Sequence, residues 1–370
     1  MAPDDLAGER ALVDELVGDR ADAWDLSGEL PETVLRHLGT KGLLCPAVPA
    51  EHGGPGWGSL LDGEFTAYVG SRCGSLRSVM TSQGMAAWTI RRLADPDQRH
   101  GHLTRLTSGE LAAVGFSEPE AGSDLSAIGT RIRREGDTVR IDGHKTWVTA
   151  ARYADLLVII GRFEDGAAAA VVPAKTPGVR VEPVKDPLGC RAAGHADIVL
   201  DAVRLPAGSL LGGGGQPLSL LVTTALAYGR ISVAWGCVGI LRACLASAGS
   251  HARSRRQSGK PLAQHQLVAR HLAELLVAEQ VATRVCEHAS RCWDTRSPEM
   301  VPATVLAKHV SAGHAARGAA TAVQVLASSG ARDGHVVARA YRDAKLMEII
   351  EGSNEICQLI LAEHALTFAP

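Results

Sequence analysis

The sequence predicts an α+β fold whose parts run helical, β, helical. Apolar residues recur at helical intervals through the first third, strand-like runs begin near residue 112, and long helical stretches resume after the glycine run at 212–215. These regions are read as an N-terminal helical domain over residues 1–110, a middle β-domain over 111–212 and a C-terminal helical domain over 213–370. A chain of 370 residues is long enough for two or three domains sharing extensive cores.

Leu12, Leu16, Trp24 and Leu26, then Val34, Leu35 and Leu38, mark the first helices. The segment Ala50-Glu51-His52-Gly53-Gly54-Pro55-Gly56 is too rich in Gly and Pro to be other than a loop. Thr138–Ile141, Leu156–Ile160, Ala168–Val172 and Ile198–Leu200 read as strands. Asp142-Gly143 between two such runs predicts a hairpin turn, because Gly accepts a positive φ. After Gly212-Gly213-Gly214-Gly215-Gln216-Pro217, helices are predicted over Leu218–Ser250, Leu262–Arg291, Val301–Ser328 and Arg339–Leu361.

Hydrophobic residues make up 46% of the chain and charged ones 21%, with no run long enough to suggest a membrane span, so a soluble protein is expected. A net charge of −2 argues against a nucleic-acid or anionic-membrane partner. The acidic start MAPDDLAGERALVDEL lacks the regions of a signal peptide, so a cytoplasmic location is expected. Eight cysteines without a CxxC pair read as reduced core residues, and the fourteen histidines form no zinc-spaced cluster, so no metal site is expected.

Three segments bear on chemistry. Phe116-Ser117-Glu118-Pro119-Glu120-Ala121-Gly122-Ser123-Asp124 is an irregular loop offering hydroxyls and backbone N–H groups for a polar ring edge or a phosphate, although a plain turn would look the same. Trp147-Val148-Thr149 belongs to the strand run Thr146-Trp147-Val148-Thr149 after Asp142-Gly143, where an ordinary hairpin core Trp is the simpler reading. Ile349-Ile350-Glu351-Gly352-Ser353-Asn354-Glu355-Ile356 pairs a Glu with a Gly near a helix end, which by itself marks only a surface carboxylate.

In this order, and together with Arg342-Asp343-Ala344-Lys345, the segments resemble the acyl-CoA dehydrogenase family over nearly the whole chain. The resemblance implies a helical N-terminal domain, a β-barrel-like middle domain, a C-terminal four-helix bundle and FAD as cofactor. It places Phe116, Ser117, Trp147 and Thr149 around the isoalloxazine, with Thr149 near N5 and Ser117 at the pyrimidine edge, and counts Gly122 and Val148 among the cofactor-binding residues. Ser123 would also contact the thioester ligand, and Ser353 and Glu355 would stand near the cofactor. Arg255, Gln257 and Gln266, then Gln324, Ala327 and Ser328, match stretches that reach the FAD of a neighbouring subunit, implying a dimer at least and possibly a tetramer. Ser258 stands where an aromatic is usual and Ala327-Ser328 where glycines are, so the close backbone approach that Gly permits is expected to be altered.

Removing a weakly acidic proton needs a desolvated carboxylate, and Glu351 stands at the family's base position, with Gly352 beside the substrate. One subgroup places its base just before a helical Arg; here that Arg is Arg230, preceded by Gly229, so the alternative base is absent. Arg230 and Ala227 are assigned to the substrate side. The implied activity is oxidation of an acyl thioester, carried by CoA or an acyl carrier protein, with a separate electron acceptor for the reduced flavin. The branch most resembled makes methoxymalonyl-type polyketide extender units, in which the β-carbon of a small hydroxylated acyl group is oxidised. Ordinary short-chain α,β-dehydrogenation, an acyl-CoA oxidase, and a flavin-binding or DNA-associated protein are the competing readings.

Overall fold

A computed structural model describes residues 6–367. Six helices come first: α1 (Ala7–Val17), α2 (Ala21–Ser27), α3 (Glu32–Thr40), α4 (Ser59–Arg72), α5 (Gly74–Leu93) and α6 (Pro96–Thr107). Asp95 and Gln98 form a reciprocal capping box at the start of α6, with Pro96 in the first turn, where its missing N–H leaves no intrahelical bond unmade. Almost every side chain of α5 is buried, because the helix is packed against α4 and against both later regions.

Seven strands follow: β1 (Ala112–Gly115), β2 (Arg131–Glu135), β3 (Thr138–Val148), β4 (Leu156–Phe163), β5 (Gly166–Pro173), β6 (Val179–Pro183) and β7 (Ala196–Pro206). They form one sheet of order β1-β4-β2-β3-β7-β6, with β5 on the other edge of β4. β1 and β2 share one edge of β4, pairing with its first and second halves.

The hairpin predicted at Asp142-Gly143 is not there. β3 runs through both residues, and its pairing with β7 shifts register between Ile141 and Gly143. The Asp142 carboxylate accepts hydrogen bonds from Arg140 (2.8 Å) and from the Ala202 N–H (2.9 Å), which fixes a bulge. Gly143 is needed for close approach, since a β-carbon there would lie 2.3 Å from Thr130 Oγ1. The reversal occurs at Gly136-Asp137, where Gly136 has φ +63° and Glu135 pairs with Thr138.

The chain then returns to helices α7 (Leu218–Ser254), α8 (Gln266–Asp294), α9 (Met300–Leu326), α10 (Val336–Met347) and α11 (Asn354–Leu366), with a two-stranded ribbon of β8 (Arg256–Gln257) and β9 (Lys260–Pro261) after α7. α7, α8 and α9 pack on one another, α10 closes on α7 and α9, and α11 lies on α9. Against the expectation of no span-like run, α7 is long and apolar enough to cross a membrane, with mean hydropathy 1.6 over 18 residues. It is a core helix instead: 72% of that window is buried inside the protein.

The helix predicted over Arg339–Leu361 is two helices. Glu351 (φ +57°) and Gly352 (φ +85°) adopt left-handed backbone that no α-helix accommodates, so the chain turns between α10 and α11.

Candidate active site

That turn closes one side of a cavity of about 810 Å³ at the junction of α5, the sheet, α7 and the α10–α11 connection. The loop after β1 contributes Phe116, Ser117, Gly122 and Ser123; the end of β3 contributes Trp147, Val148 and Thr149. Arg230 enters from α7, and Glu351, Gly352 and Ser353 from the turn. Residues far apart in sequence thus converge on one space.

The loop after β1 is held by an ion pair away from solvent. Lys145 is fully buried, and its Nζ donates to Glu118 Oε1 (2.7 Å) and to the Phe116 carbonyl (3.0 Å). Glu118 also accepts from the N–H groups of Gly129 (2.5 Å) and Thr130 (3.0 Å). Although burial opposes ionisation, these bonds hold the Glu118 carboxyl below the usual carboxylate range. Loop and strand are thereby locked together, with Ser117 and Ser123 facing the cavity.

Trp147 takes φ +55°, a conformation costly for a residue with a β-carbon. Asp197 on β7 fixes it, accepting from the Trp147 N–H (2.9 Å) and from Thr146 Oγ1 (2.8 Å). The indole is 52% exposed despite its size, which opens a flat apolar face at the cavity. Beside it Thr149 lies 3.3 Å from His195 Nδ1, and its carbonyl accepts from Ser82 (2.9 Å). Burial, reinforced by the Arg77 charge, pulls His195 down to about 4, so its ring is neutral.

Glu351 is held by its backbone. Arg230 Nε donates to the Glu351 carbonyl (3.1 Å), and the fully buried Lys308 donates to the carbonyls of Gly352 (2.7 Å) and Glu348 (3.3 Å) and to Asn354 Oδ1 (3.3 Å). The carboxylate itself is left over: Oε2 is buried without a hydrogen-bond partner. Burial pushes Glu351 up to about 7, with Arg230, Lys308 and Arg77 pulling the other way. A desolvated carboxylate near neutrality is matched to accepting a proton.

Other predicted residues lie elsewhere. Ala227 is buried on α7 but does not line the cavity, where Val222, Thr223, Leu226 and Arg230 form the helix's contribution. Arg255, Gln257 and Gln266 sit exposed around the β8–β9 ribbon, and Gln324, Ala327 and Ser328 lie exposed at the end of α9. Ala327 keeps φ +51°, so the backbone here retains a glycine-like conformation despite its methyl group. Glu355 is exposed in the first turn of α11, outside the cavity. His195, Asp197, Lys308 and Arg77 go unnoticed in the sequence. Lys308 alone leaves a trace there, as a cation among the alanines of α9.

The site fits a flavin: a ring-sized cavity, an exposed indole wall, two serine hydroxyls and a buried unpartnered carboxylate come together. The model of the acyl-CoA dehydrogenase N-terminal domain matches residues 7–110, that of the middle domain 113–203 and that of the C-terminal domain 220–366. The chain belongs to the acyl-CoA dehydrogenase family. It is thus an FAD-dependent oxidoreductase acting on acyl thioesters.

Among solved structures it is similar to FkbI, described as an enzyme for biosynthesis of the methoxymalonyl extender unit of the FK520 polyketide. Identity is 65%, TM-score 0.94, and coverage 97% of this chain and 99% of that one. A glutaryl-CoA dehydrogenase from Mycobacterium smegmatis in complex with FADH2 is 26% identical with TM-score 0.93, covering 100% and 95% of the two chains. The probable acyl-CoA dehydrogenase YngJ of Bacillus subtilis is 32% identical, over 98% of this chain and 99% of its own. The acyl-CoA dehydrogenase resemblance read from the motifs is borne out over the chain's length.

Proposed function

We propose that this enzyme oxidises the β-carbon of a small hydroxylated acyl group carried on an acyl carrier protein, with Glu351 as proton acceptor. One observation carries the assignment of the base: the buried, unpartnered Glu351 carboxylate, raised to about 7, on the cavity wall. The carrier and the polyketide setting are supported by the 65% identity to FkbI over almost the full length of both chains.

Bound FAD supplies the two-electron acceptor for the β-hydride. Phe116, Ser117, Gly122, Ser123, Trp147, Val148, Thr149 and Ser353 are assigned to holding it from this chain. Glu351 removes the proton, from a hydroxyl of the oxidised carbon in this reading and from the α-carbon in ordinary α,β-dehydrogenation. Arg230 and Lys308 keep the turn in place while Glu351 changes charge. Gly352 and Arg230 face the substrate, and Ala227 backs that wall. The exposed Arg255, Gln257, Gln266, Gln324, Ala327, Ser328 and Glu355 are assigned to the FAD of a second copy, which requires at least a homodimer and allows a tetramer. An external electron acceptor completes turnover, and a cytoplasmic location accords with the reduced cysteines.

Anaerobic bleaching of the flavin by hydroxylated and simple acyl thioesters, on CoA and on carrier protein, tests this reading. Bleaching by hydroxylated acyl-carrier-protein thioesters, lost in Glu351→Gln, is expected. Preferential bleaching by simple acyl-CoA thioesters would instead establish α,β-dehydrogenation, and rapid peroxide formation in air an oxidase.

A further inference from the structure

Two cross-strand rows of the sheet are crowded with arginine. Arg133 on β2, Arg140 on β3 and Arg204 on β7 stand directly opposite one another, and in the next row Arg131 on β2 is flanked by Arg162 on β4 and Asp142 on β3. Arg140 is half-buried and the other four arginines are exposed, all on one face, because facing residues and residues two apart on a strand share a side. Like charges set opposite one another destabilise a sheet, yet here they recur in a chain whose net charge is −2. Carboxylates offset only part of the excess. Arg140 is paired with Asp142 (2.8 Å) and Arg204 with Glu135. Arg162 donates to the carbonyls of Ile128 (2.7 Å) and Ser126 (2.6 Å), and Arg131 and Arg133 pair with no carboxylate among the described residues. The excess stops at β6, where Arg180 has Glu182 and Asp201 at 3.8 and 4.0 Å.

The arginine face is continuous with the cavity. Arg140, Asp142, His144 and Thr146 alternate onto one side of β3, and Thr146 lines the cavity. Arg162 ties the same face to the cavity's loop, since the carbonyls it holds follow Ser123 and Leu125, which also line that space. At ~3.3 Å per residue, Arg140 stands about 23 Å along β3 from Trp147. A partner seated on the arginines therefore reaches the cavity through an extended arm.

We infer that this face docks an acyl carrier protein whose surface beside its phosphopantetheine arm is acidic, with the arm running along β3 into the cavity. The inference rests on the carrier-protein reading above and gives that partner a place on the molecule. Surface carboxylates match the guanidinium forks and supply the counter-charges that Arg131 and Arg133 lack. Complementary charge of this kind speeds and orients encounter without deep burial, which suits a partner that must leave after each turnover.

The test compares 3-hydroxypropionyl thioesters of an acidic holo-acyl carrier protein and of pantetheine, which share the acyl group and differ in the attached protein. Anaerobic stopped-flow bleaching of the FAD-loaded enzyme gives the half-saturating concentration of each. Arg131→Glu with Arg133→Glu breaks no ion pair. It is expected to raise that concentration at least about tenfold for the carrier-protein thioester and to leave the pantetheine thioester within about twofold. Salt raised from ~0.02 to ~0.5 M should weaken the carrier-protein thioester in the parent and much less in the variant. Arg20→Glu with Lys41→Glu, exposed cations of the N-terminal helical region, should leave both thioesters within about twofold. Equal effects on the two thioesters, or the same loss from the Arg20 and Lys41 reversal, overturns the docking face. So does a variant that loses FAD or changes its sedimentation, since the arginines then serve the cofactor or a second copy. If the double variant does not fold, Arg133→Gln and the parent's salt dependence decide. Bleaching of the parent by the pantetheine thioester alone, or by neither, sinks the carrier-protein reading and the docking face together. Carrier-protein bleaching untouched by the Arg131 and Arg133 reversal sinks the docking face alone.

Discussion

Gly229 and Glu351 occupy one another's space: a β-carbon at position 229 would lie 2.2 Å from Glu351 Oε2 and 2.6 Å from its Cδ. The helix position before Arg230 is thus vacant of any side chain because the carboxylate from the α10–α11 turn fills it. Having one excludes the other.

Gly229→Ala should therefore displace the Glu351 carboxylate. Flavin bleaching by a productive thioester is expected to slow by roughly 10²-fold, because proton removal depends on sub-ångström placement, with FAD content preserved. Stopped-flow absorbance together with the flavin-to-protein ratio checks it. An unchanged rate would show that the carboxylate is not confined by α7.

The rate should climb with pH through about 7, where Glu351 becomes ionised, and Glu351→Gln should be slower by about 10²–10⁴-fold and flat over that range. Stability should move oppositely. With the folded carboxyl raised above its unfolded value, the native state binds the extra proton between roughly 4.5 and 7, so this group's contribution falls as pH rises through that window. Chemical denaturation of the parent beside Glu351→Gln should show the parent losing ground as pH increases. Parallel curves would place the base elsewhere.

Lys308→Met removes the donor to Gly352 and Glu348 and a positive charge that helps Glu351 ionise. The pH of half-maximal bleaching should move upward from the parent's, in addition to any loss of rate. A lower rate with an unshifted pH midpoint would make Lys308 a packing residue only.

Lys145→Met leaves the Glu118 carboxylate buried beside the loop after β1 without its cation. A loss of about 3–5 kcal/mol is expected from denaturant titration, together with weakened FAD retention. Adding Glu118→Gln should recover part of that stability. If Lys145→Met alone is neutral, the ion pair does not hold the flavin-side loop.

Much of the site was legible because its motifs are local. Phe116, Ser117, Ser123, Trp147, Thr149 and Glu351 belong to short segments in which neighbours restrict one another, and all line the cavity. The partners that fix them are distant: Asp197 lies 50 residues from Trp147, and Lys308 lies 44 from Gly352. No periodicity links such pairs. Asp142-Gly143 misled for a related reason, since glycine marks both a turn and a place where another side chain must fit. Thr130 decides which.

From the sequence alone came the helical, β, helical order, the family, the flavin and Glu351 as the candidate base, because each rests on patterns within a few turns of chain. The tertiary structure decided what those residues experience. Glu351 is a surface-like Glu-Gly pair on paper; only the packing of α7 and α9 around its turn removes its water and leaves Oε2 unpartnered. Arg77 reads as one more helical cation, and only the folded chain shows it buried with no carboxylate paired to it among the described residues. Desolvation is set by everything that surrounds a group, so it is a property of the fold rather than of any segment.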